Sequence, residues 1–441
     1  MSEFQRPSSK KEFDRNFSQI KPFLNETQAY YESSRCLFCY DAPCIQACPT
    51  GIDIPLFIRQ IHSGNTIGAA KTIYDANYLG HACGQVCPTE VLCEGACVYN
   101  HQHIKPIEIG RLQSFATTQA IIQNKKLFIT GKPNGKKVAV IGAGPAGISC
   151  ACELRMLGYE VDIFEAKEKP SGLTLYGVAP YKITNKEALD EIKYLQEQFE
   201  FSVKYRSPIV SKRDIEKLEI KYDAIFIGIG LGETSEIKIS GENLRNCVGA
   251  TEFIEKLRLT QHRVHVGNKV IVLGGGNTAM DAASESARMG ADKVILAYRR
   301  SKEEMKAYDF EYELAKKVGV KSLFNVAPVK IIGKTKVESI KFIRTRTRRG
   351  KIEAIKGTEF VENCDMVIKA TGQAKHVDFF SHIPGLELDD SGRIRVNKMF
   401  QTKNKKYFAA GDAANGGKEV VNAAAEGKAA ARGIHRFIIG K

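Results

Sequence analysis

Eight of the twelve cysteines in this 441-residue chain fall between Cys36 and Cys97. They form two runs, Cys36-x2-Cys39-x4-Cys44-x3-Cys48-Pro49 and Cys83-x3-Cys87-Pro88-x4-Cys93-x3-Cys97. The other four, Cys150, Cys152, Cys247 and Cys364, are scattered. A disulfide framework needs an oxidising compartment. The N-terminus, MSEFQRPSSKKEFDRNF, is polar and lacks the apolar core of a secretory signal, so the expected location is the cytoplasm. Clustered thiols in such a chain point to metal.

The length suits two or three domains, and 43% apolar with 26% charged residues describes a folded chain. No stretch approaches the roughly 20 apolar residues of a membrane span. The net charge is +15, from 65 basic and 50 acidic residues. No basic stripe is interleaved with aromatics, so the excess is read as solvated lysine faces and no nucleic-acid partner is expected. The densest basic patch, Arg344-Thr-Arg-Thr-Arg-Arg349, lies between two short strand-like runs and reads as an exposed hairpin.

Three regions separate on pattern. Residues 1–130 hold the cysteines and helix-like stretches such as IPLFIRQIHSG and Ile109 to Gln123, ending in a Gly/Lys/Pro-rich linker. From Lys137 strands and helices alternate. KVAVIGAG leads through a glycine turn into the helix PAGISCACELRMLGY and the strand YEVDIFEA. A second round, KVIVLGGGN, TAMDAASESARMG and DKVILAYRR, begins at Lys269. The expected fold class is α/β: a helical N-terminal domain followed by two interleaved Rossmann-like dinucleotide-binding domains, one of 137–250 with 375–441 and one of 251–374.

Gly142-Ala-Gly144-Pro145-Ala146-Gly147 fits the G-x-G-x-x-G fingerprint between a strand and a helix. Glu165 closes the next strand about 20 residues on, where an acid meets a ribose hydroxyl. Gly142 makes the turn, Gly144 lets the backbone approach a pyrophosphate, and Gly147 allows close packing of helix on sheet. YFAAGD, ending in Gly411-Asp412 before a small-residue helix that begins near Val421, resembles the second flavin signature of two-dinucleotide-fold reductases. The segment from Ser171 through Gly172, Leu173 and Gly177 to Lys182 resembles the flavin-contacting loop of one branch of them, although that branch commonly opens the loop with two glycines. This site is assigned to FAD.

Gly274-Gly-Gly276-Asn277-Thr278-Ala279-Met-Asp281 is the G-x-G-x-x-A variant used for nicotinamide dinucleotides. Arg299 and Arg300 end the next strand, where NAD proteins often place an acid, and with Lys306 they can hold a 2′-phosphate. Glu303 and Glu304 stand nearby, and NADH versus NADPH stays open. Thr371 and Gly372, closing the apolar run MVIKATG, complete the candidates on this side.

Tetrahedral zinc also takes four thiolates. The C-x2-C-x4-C-x3-C spacing is not that of two zinc knuckles, and each Cys-Pro step is similar to the ferredoxin run whose last cysteine serves the neighbouring cluster. A flavin and a nicotinamide site in the same chain also create a need for one-electron acceptors, so iron–sulfur is preferred. Together the cysteine region, the flavin loop and both glycine turns resemble the family of the bacterial glutamate synthase small subunit and the N-terminal half of dihydropyrimidine dehydrogenase. Cys48-Pro-Thr-Gly-Ile-Asp-Ile-Pro55, Cys87-Pro-Thr-Glu90 and Ile109-Gly-Arg-Leu-Gln113 are more similar to the second branch, above all to the flavin/iron–sulfur subunit of its bacterial NAD-dependent form. The resemblance implies two 4Fe–4S clusters, one held by Cys36, Cys39, Cys44 and Cys97, the other by Cys48, Cys87, Cys93 and a side-chain oxygen at Gln113. Simple counting would choose Cys83 for that last position.

A nicotinamide gives up a hydride, an iron–sulfur cluster moves single electrons, and a flavin does both, so the order nicotinamide, FAD, clusters follows if all are present. Hydride transfer needs stacking, not a protein acid or base, and no catalytic side chain is nominated. Cys150, Cys152 and Cys364 read as packing residues. Reduction of a pyrimidine would need a proton donor that this chain does not offer. The resemblance therefore implies a separate FMN-containing barrel subunit that reduces uracil or thymine, with no membrane involved. Two other expectations are a glutamate synthase small subunit or another NAD(P)H:acceptor complex, and a non-catalytic zinc-stabilised nucleotide-binding protein.

Overall fold

The computed structural model describes residues 4–440. They form two compact units: a smaller one of 4–19, 176–181 and 232–374, and a larger one of 20–175, 182–231 and 375–440.

The larger unit begins with helices, including Glu26–Ser34, Ile54–His62, Thr66–Ala76, Gly80–Val86 and Ile109–Ile122. Ile54–His62 shows why they form. Asp53 accepts from the Leu56 backbone at 3.1 Å and caps the first turn, and Ile54, Phe57, Ile58 and Ile61 fall on one buried stripe. Phe57 and Ile58 are fully buried, which is worth about 1.5–3 kcal/mol each. A polar residue at either would undock the helix.

The linker after Phe128 is pinned to the following fold, with the Gly131 and Asn134 backbones donating to Arg155 and Gly158. Behind it the strands Tyr407–Ala409, Ala224–Ile227, Lys137–Ile141, Glu160–Phe164 and Ser202–Lys204 lie side by side in that order, all parallel. The helices Pro145–Met156 and Val420–Ile438 pack closely on one another. Ser149 Oγ donates to the Ala424 carbonyl at 2.6 Å, and a Cβ at Gly427 would stand 2.1 Å from the Ala146 carbonyl oxygen. The last helix also reaches the cysteine-bearing region. Lys428 donates to the terminal carbonyls of Thr66–Ala76, at Asp75 and Ala76. Glu153 takes both Arg432 Nε at 2.7 Å and the Tyr78 hydroxyl at 2.6 Å. The helical region and the first dinucleotide fold thus share one core.

In the smaller unit the parallel strands run Cys247–Gly249, Met366–Lys369, Lys269–Leu273, Lys293–Tyr298 and Lys321–Phe324. Beside them Ser339–Arg348 pairs antiparallel with Lys351–Ala354, Phe360–Asn363 and Val326–Ile332. The basic patch lies on this hairpin, where Arg346 meets Glu353 at 3.2 Å.

The expected divisions at 130 and 250 differ from these units. Cys247–Gly249 pairs with Met366–Lys369, which carries its segment into the smaller unit from residue 232 onward. Residues 4–19 also belong there, because Asn16 Nδ2 donates to the Arg288 carbonyl at 2.8 Å and Arg288 Nη1 returns a bond to the Asn16 carbonyl at 2.6 Å. Among the described residues, no helix is long and apolar enough to cross a membrane.

Candidate cofactor sites

In the larger unit the strand Lys137–Ile141 turns through glycines into the helix Pro145–Met156, whose N-terminal N–H groups and dipole favour an anion. Gly142 has φ +100°, and a Cβ there would stand 2.5 Å from the Gly228 carbonyl oxygen. A Cβ on Gly147 would stand 1.9 Å from the Gly142 oxygen. Gly144 is different. Its φ of −78° suits any residue, and an added Cβ would meet only the Gly172 Cα at 3.8 Å. Neither backbone nor packing demands glycine there, which fits a position kept open for a pyrophosphate.

Glu165 is buried at the end of the second strand and accepts from the Ala143 and Lys167 backbones at 2.7 and 2.8 Å. The flavin-loop residues Ser171 and Gly172 lie against the same turn: Ser171 N donates to the Ala143 oxygen at 2.8 Å, and Gly172 has φ +51°. Leu173 is exposed at the start of the short helix Leu173–Tyr176, and Lys182 is buried. Gly177 belongs to the smaller unit.

Gly411, at φ +67°, donates its N–H to Glu426 at 2.9 Å. Asp412 accepts from the Lys418 backbone at 3.1 Å, and burial, helped by Glu426, pushes its carboxyl up. Pro145, Ala146 and Val421 complete the predicted set, the last buried on the helix that follows.

The second glycine turn repeats the logic. A Cβ on Gly274 would strike the Ala370 oxygen at 2.5 Å, whereas one on Gly276, at φ −107°, would meet nothing. Asn277 and Thr278 open the helix Asn277–Arg288, and Ala279 is buried within it. Asn277 Oδ1 takes the Tyr308 N–H at 3.0 Å, and the Lys306 and Ala307 backbones donate to the Gly275 oxygen. Arg299 and Lys306 are exposed, while Arg300 is paired with Glu304 at 3.2 Å. Asp281 is buried and accepts from the Tyr181 hydroxyl at 2.7 Å. Thr371 donates to the Ser235 carbonyl at 3.3 Å, and Gly372 is exposed beside it.

The cysteines line two cavities. Cys36, Cys39, Cys44 and Cys97 surround the first, of about 30 Å³, in a wall otherwise apolar except for Tyr99. Cys48, Cys83, Cys87, Cys93 and Gln113 line the second, of about 20 Å³, with Asn77, Thr89, Gly110 and Val421. Each is larger than the ~10–15 Å³ a single water needs. No three His, Cys, Asp or Glu side chains among the described residues are grouped so as to hold one metal ion. A tetrahedral zinc needs its thiolates at about 2.3 Å from one point. Rings of thiols around a space suit a multi-iron group better.

Burial, with Cys36 and Cys97 adding, pushes the Cys44 thiol up to about 12. Burial also raises Cys36 and Cys93, and Cys87 is raised first by its bond to Cys83. Such thiols become thiolates only when a positive charge joins them, and iron would supply it. Gln113 Nε2 donates to the Gly80 carbonyl at 2.6 Å, which leaves its oxygen as the atom for the cavity. Outside the cavities Cys150, Cys152 and Cys364 are buried, as packing residues would be.

Three residues escaped the sequence reading. Glu426, which holds the Gly411 turn, was signalled only as the lone acid in a run of small residues. Glu191 is fully buried and accepts from the His81 and Ala82 backbones at 2.6 and 3.0 Å, fixing the helix that bears Cys83. Asn77, in the wall of the second cavity, carried no local signal.

Residues 13–125 match the family described as dihydropyrimidine dehydrogenase domain II, 4Fe–4S cluster. Residues 136–427 match the pyridine nucleotide-disulphide oxidoreductase family. The chain is 32% identical to the glutamate synthase [NADPH] small chain of Escherichia coli, over 96% of this chain and 94% of that one. It is also 32% identical to the NAD-dependent dihydropyrimidine dehydrogenase subunit PreT of E. coli, over 96% and 97%. Among solved structures, Mycobacterium tuberculosis FprA in complex with NADPH superposes with TM-score 0.58 at 19% identity, over 70% of this chain and 86% of that one. Lactococcus lactis thioredoxin reductase superposes with TM-score 0.54 at 18% identity, over 69% and 100%. These two likenesses are of fold. With thiol cavities in a helical N-terminal region and two glycine turns opening parallel sheets, the chain belongs to the pyridine nucleotide-disulphide oxidoreductases, in the group with an N-terminal 4Fe–4S domain that includes PreT and the glutamate synthase small chain, and it is an electron-transfer oxidoreductase of FAD, NAD(P) and 4Fe–4S.

Proposed function

We propose that this chain is the electron-input subunit of a cytoplasmic hetero-oligomer, in which an FMN-containing barrel subunit reduces uracil or thymine to the 5,6-dihydropyrimidine. FAD, when bound, would take one hydride, a single electron pair, from NAD(P)H and pass those two electrons on one at a time to the 4Fe–4S centres. The protein's part is to bind and insulate. Gly144 and Gly276 would leave room for the two pyrophosphates, and Glu165 and Asp412 would hold the sugar and ribityl hydroxyls of a bound flavin. Cys36, Cys39, Cys44 and Cys97 hold one centre, and Cys48, Cys87, Cys93 and the Gln113 oxygen hold the other. Cys83 stays a buried free thiol, hydrogen-bonded to Cys87. Arg299 and Lys306, both exposed, would offer positive charge to a 2′-phosphate if the nicotinamide carries one.

The observation that carries this reading is the place of Val421. It lies in the first turn of the helix Val420–Ile438 and also lines the second cavity, so one helix would serve the flavin side and a thiol ring. The choice of a pyrimidine partner rests on the match to PreT and on Gln113 in the cavity wall. Equal identity to the glutamate synthase small chain supports a second reading, with that enzyme's large subunit as partner.

The test is the purified chain, then its co-purified complex, under anaerobic conditions. Alone it should oxidise NAD(P)H with an artificial one-electron acceptor and leave uracil untouched. The complex should consume uracil. Uracil reduction by the isolated chain would overturn the division of labour, and glutamate formation by the complex would select the second reading.

A further inference from the structure

We infer that Asn77 donates a side-chain hydrogen bond to a sulfur of the 4Fe–4S group in the second cavity and so raises that group's reduction potential. This rests on the cluster reading above.

Asn77 is the residue at which the helix Thr66–Ala76 ends, and it is 1% exposed. Its backbone N–H donates to the Ile73 carbonyl at 2.9 Å. Its Oδ1 accepts from the Leu79 N–H at 3.0 Å. That bond fixes which end of the carboxamide is oxygen and turns Nδ2 away from Leu79. Nδ2 is buried and has no protein acceptor, yet Asn77 lines the cavity. The nearest carbonyls along the chain are already engaged, since Lys428 donates to those of Asp75 and Ala76.

Three other amide donors of the wall have protein acceptors. Gln113 Nε2 donates to the Gly80 carbonyl, the Gly110 N–H goes to Glu94 Oε1 at 2.9 Å, and the Thr89 N–H goes to the Cys87 carbonyl at 2.8 Å. A buried donor without an acceptor is unfavourable. In a wall of thiols, the acceptor that a loaded protein brings is sulfur. An N–H aimed at such a sulfur favours the more negative, reduced state, which is one of the levers that set cluster potentials. The first cavity's wall contains no carboxamide, so the effect should be confined to one centre.

The experiment uses the full-length protein with its centres loaded. Iron is counted first, and potentials are then read by electron paramagnetic resonance during a redox titration. Asn77→Ala should shift one of the two signals about tenfold toward the oxidised form, ~59 mV for one electron, and leave the other in place. Asn77→Asp keeps the oxygen that serves Leu79 but replaces the donor by an acceptor, so it should shift the same signal further. Where a variant fails to keep its iron, the wild type decides. Protein labelled with 15N at the asparagine side-chain amide should show a nitrogen coupling to one reduced centre in pulsed spectra.

Variants that retain iron and titrate like wild type would overturn the proposal. So would a wild-type spectrum with no asparagine coupling, whatever the variants do, because Nδ2 would then be bonded to something other than the cluster. A preparation with no 4Fe–4S signal at all would instead fail the cluster reading, and this inference with it.

Discussion

The two thiol cavities begin from similar cysteine runs and end in different surroundings. The first is ringed by Cys36, Cys39, Cys44 and Cys97 among Leu37, Ile54, Ile58 and Ile107. The second mixes four thiols with the carboxamides of Asn77 and Gln113 and with Val421 from the last helix. A thiolate ring in apolar walls leaves a centre strongly negative, whereas neutral oxygen ligation and an N–H donor relieve that charge. With the ligation and the Asn77 bond proposed above, the first centre would have the lower potential and the second the higher. Repeated cysteine spacing supplies two rings, and the neighbours decide how they differ.

The most severe test of this contrast is Cys44→Ser. It should halve the iron, from about eight to about four atoms per chain, and remove one paramagnetic signal while the other persists. Loss of all iron would mean that the cavities do not load independently. Next in size is a paired comparison: Gln113→Ala should lose or strongly alter the second centre, while Cys83→Ala keeps its iron and spectrum. The reverse pattern would make Cys83 the ligand and erase the difference in charge between the rings.

Glu191 sharpens the comparison through pH, because it holds the first turn of the helix carrying Cys83. Burial pushes its carboxyl up from the ordinary 4.5 to about 8. Between those values the folded chain keeps a proton that the unfolded chain releases, so stability is full at acidic pH and is lost as pH rises toward 8. His81, pushed down by burial from 6.5 to about 4, changes in the opposite sense, and its unfolded form is still half protonated at 6.5. From pH 6.5 to 8 the wild type should lose about 1 kcal/mol, and Glu191→Gln should lose none in chemical denaturation. An equal slope in both would discard Glu191 as the source. The smallest effect is expected at Ile54, which lines both cavities. Ile54→Val should cost about 1 kcal/mol with the iron content unchanged.

What the sequence revealed follows from where each signal resides. Gly142, Gly147 and Gly274 are demanded by backbone atoms close along the chain or in adjacent strands, and the cysteines by chemistry, so both motifs could be read directly. The partners of Asn77, Glu191 and Glu426 come from distant turns of the fold, and no local pattern announces them. Asp281 stands in the second fingerprint, and its bond from the Tyr181 hydroxyl is another contact that no local pattern announces. Asn16 is tied to Arg288 by side-chain-to-backbone bonds in both directions, a link across the chain that linear pattern does not reveal.

The placement of Val421 also bears on the order in which a newly made chain can be fitted out. Every cysteine of the second ring leaves the ribosome long before the residue that closes its wall, and Lys428, which ties down the segment ahead of Asn77, emerges later still. A chain still in synthesis thus presents its thiols without the shelter meant for them. On the cluster reading, iron loading of that ring would follow the docking of the helix that carries Val421 and Lys428.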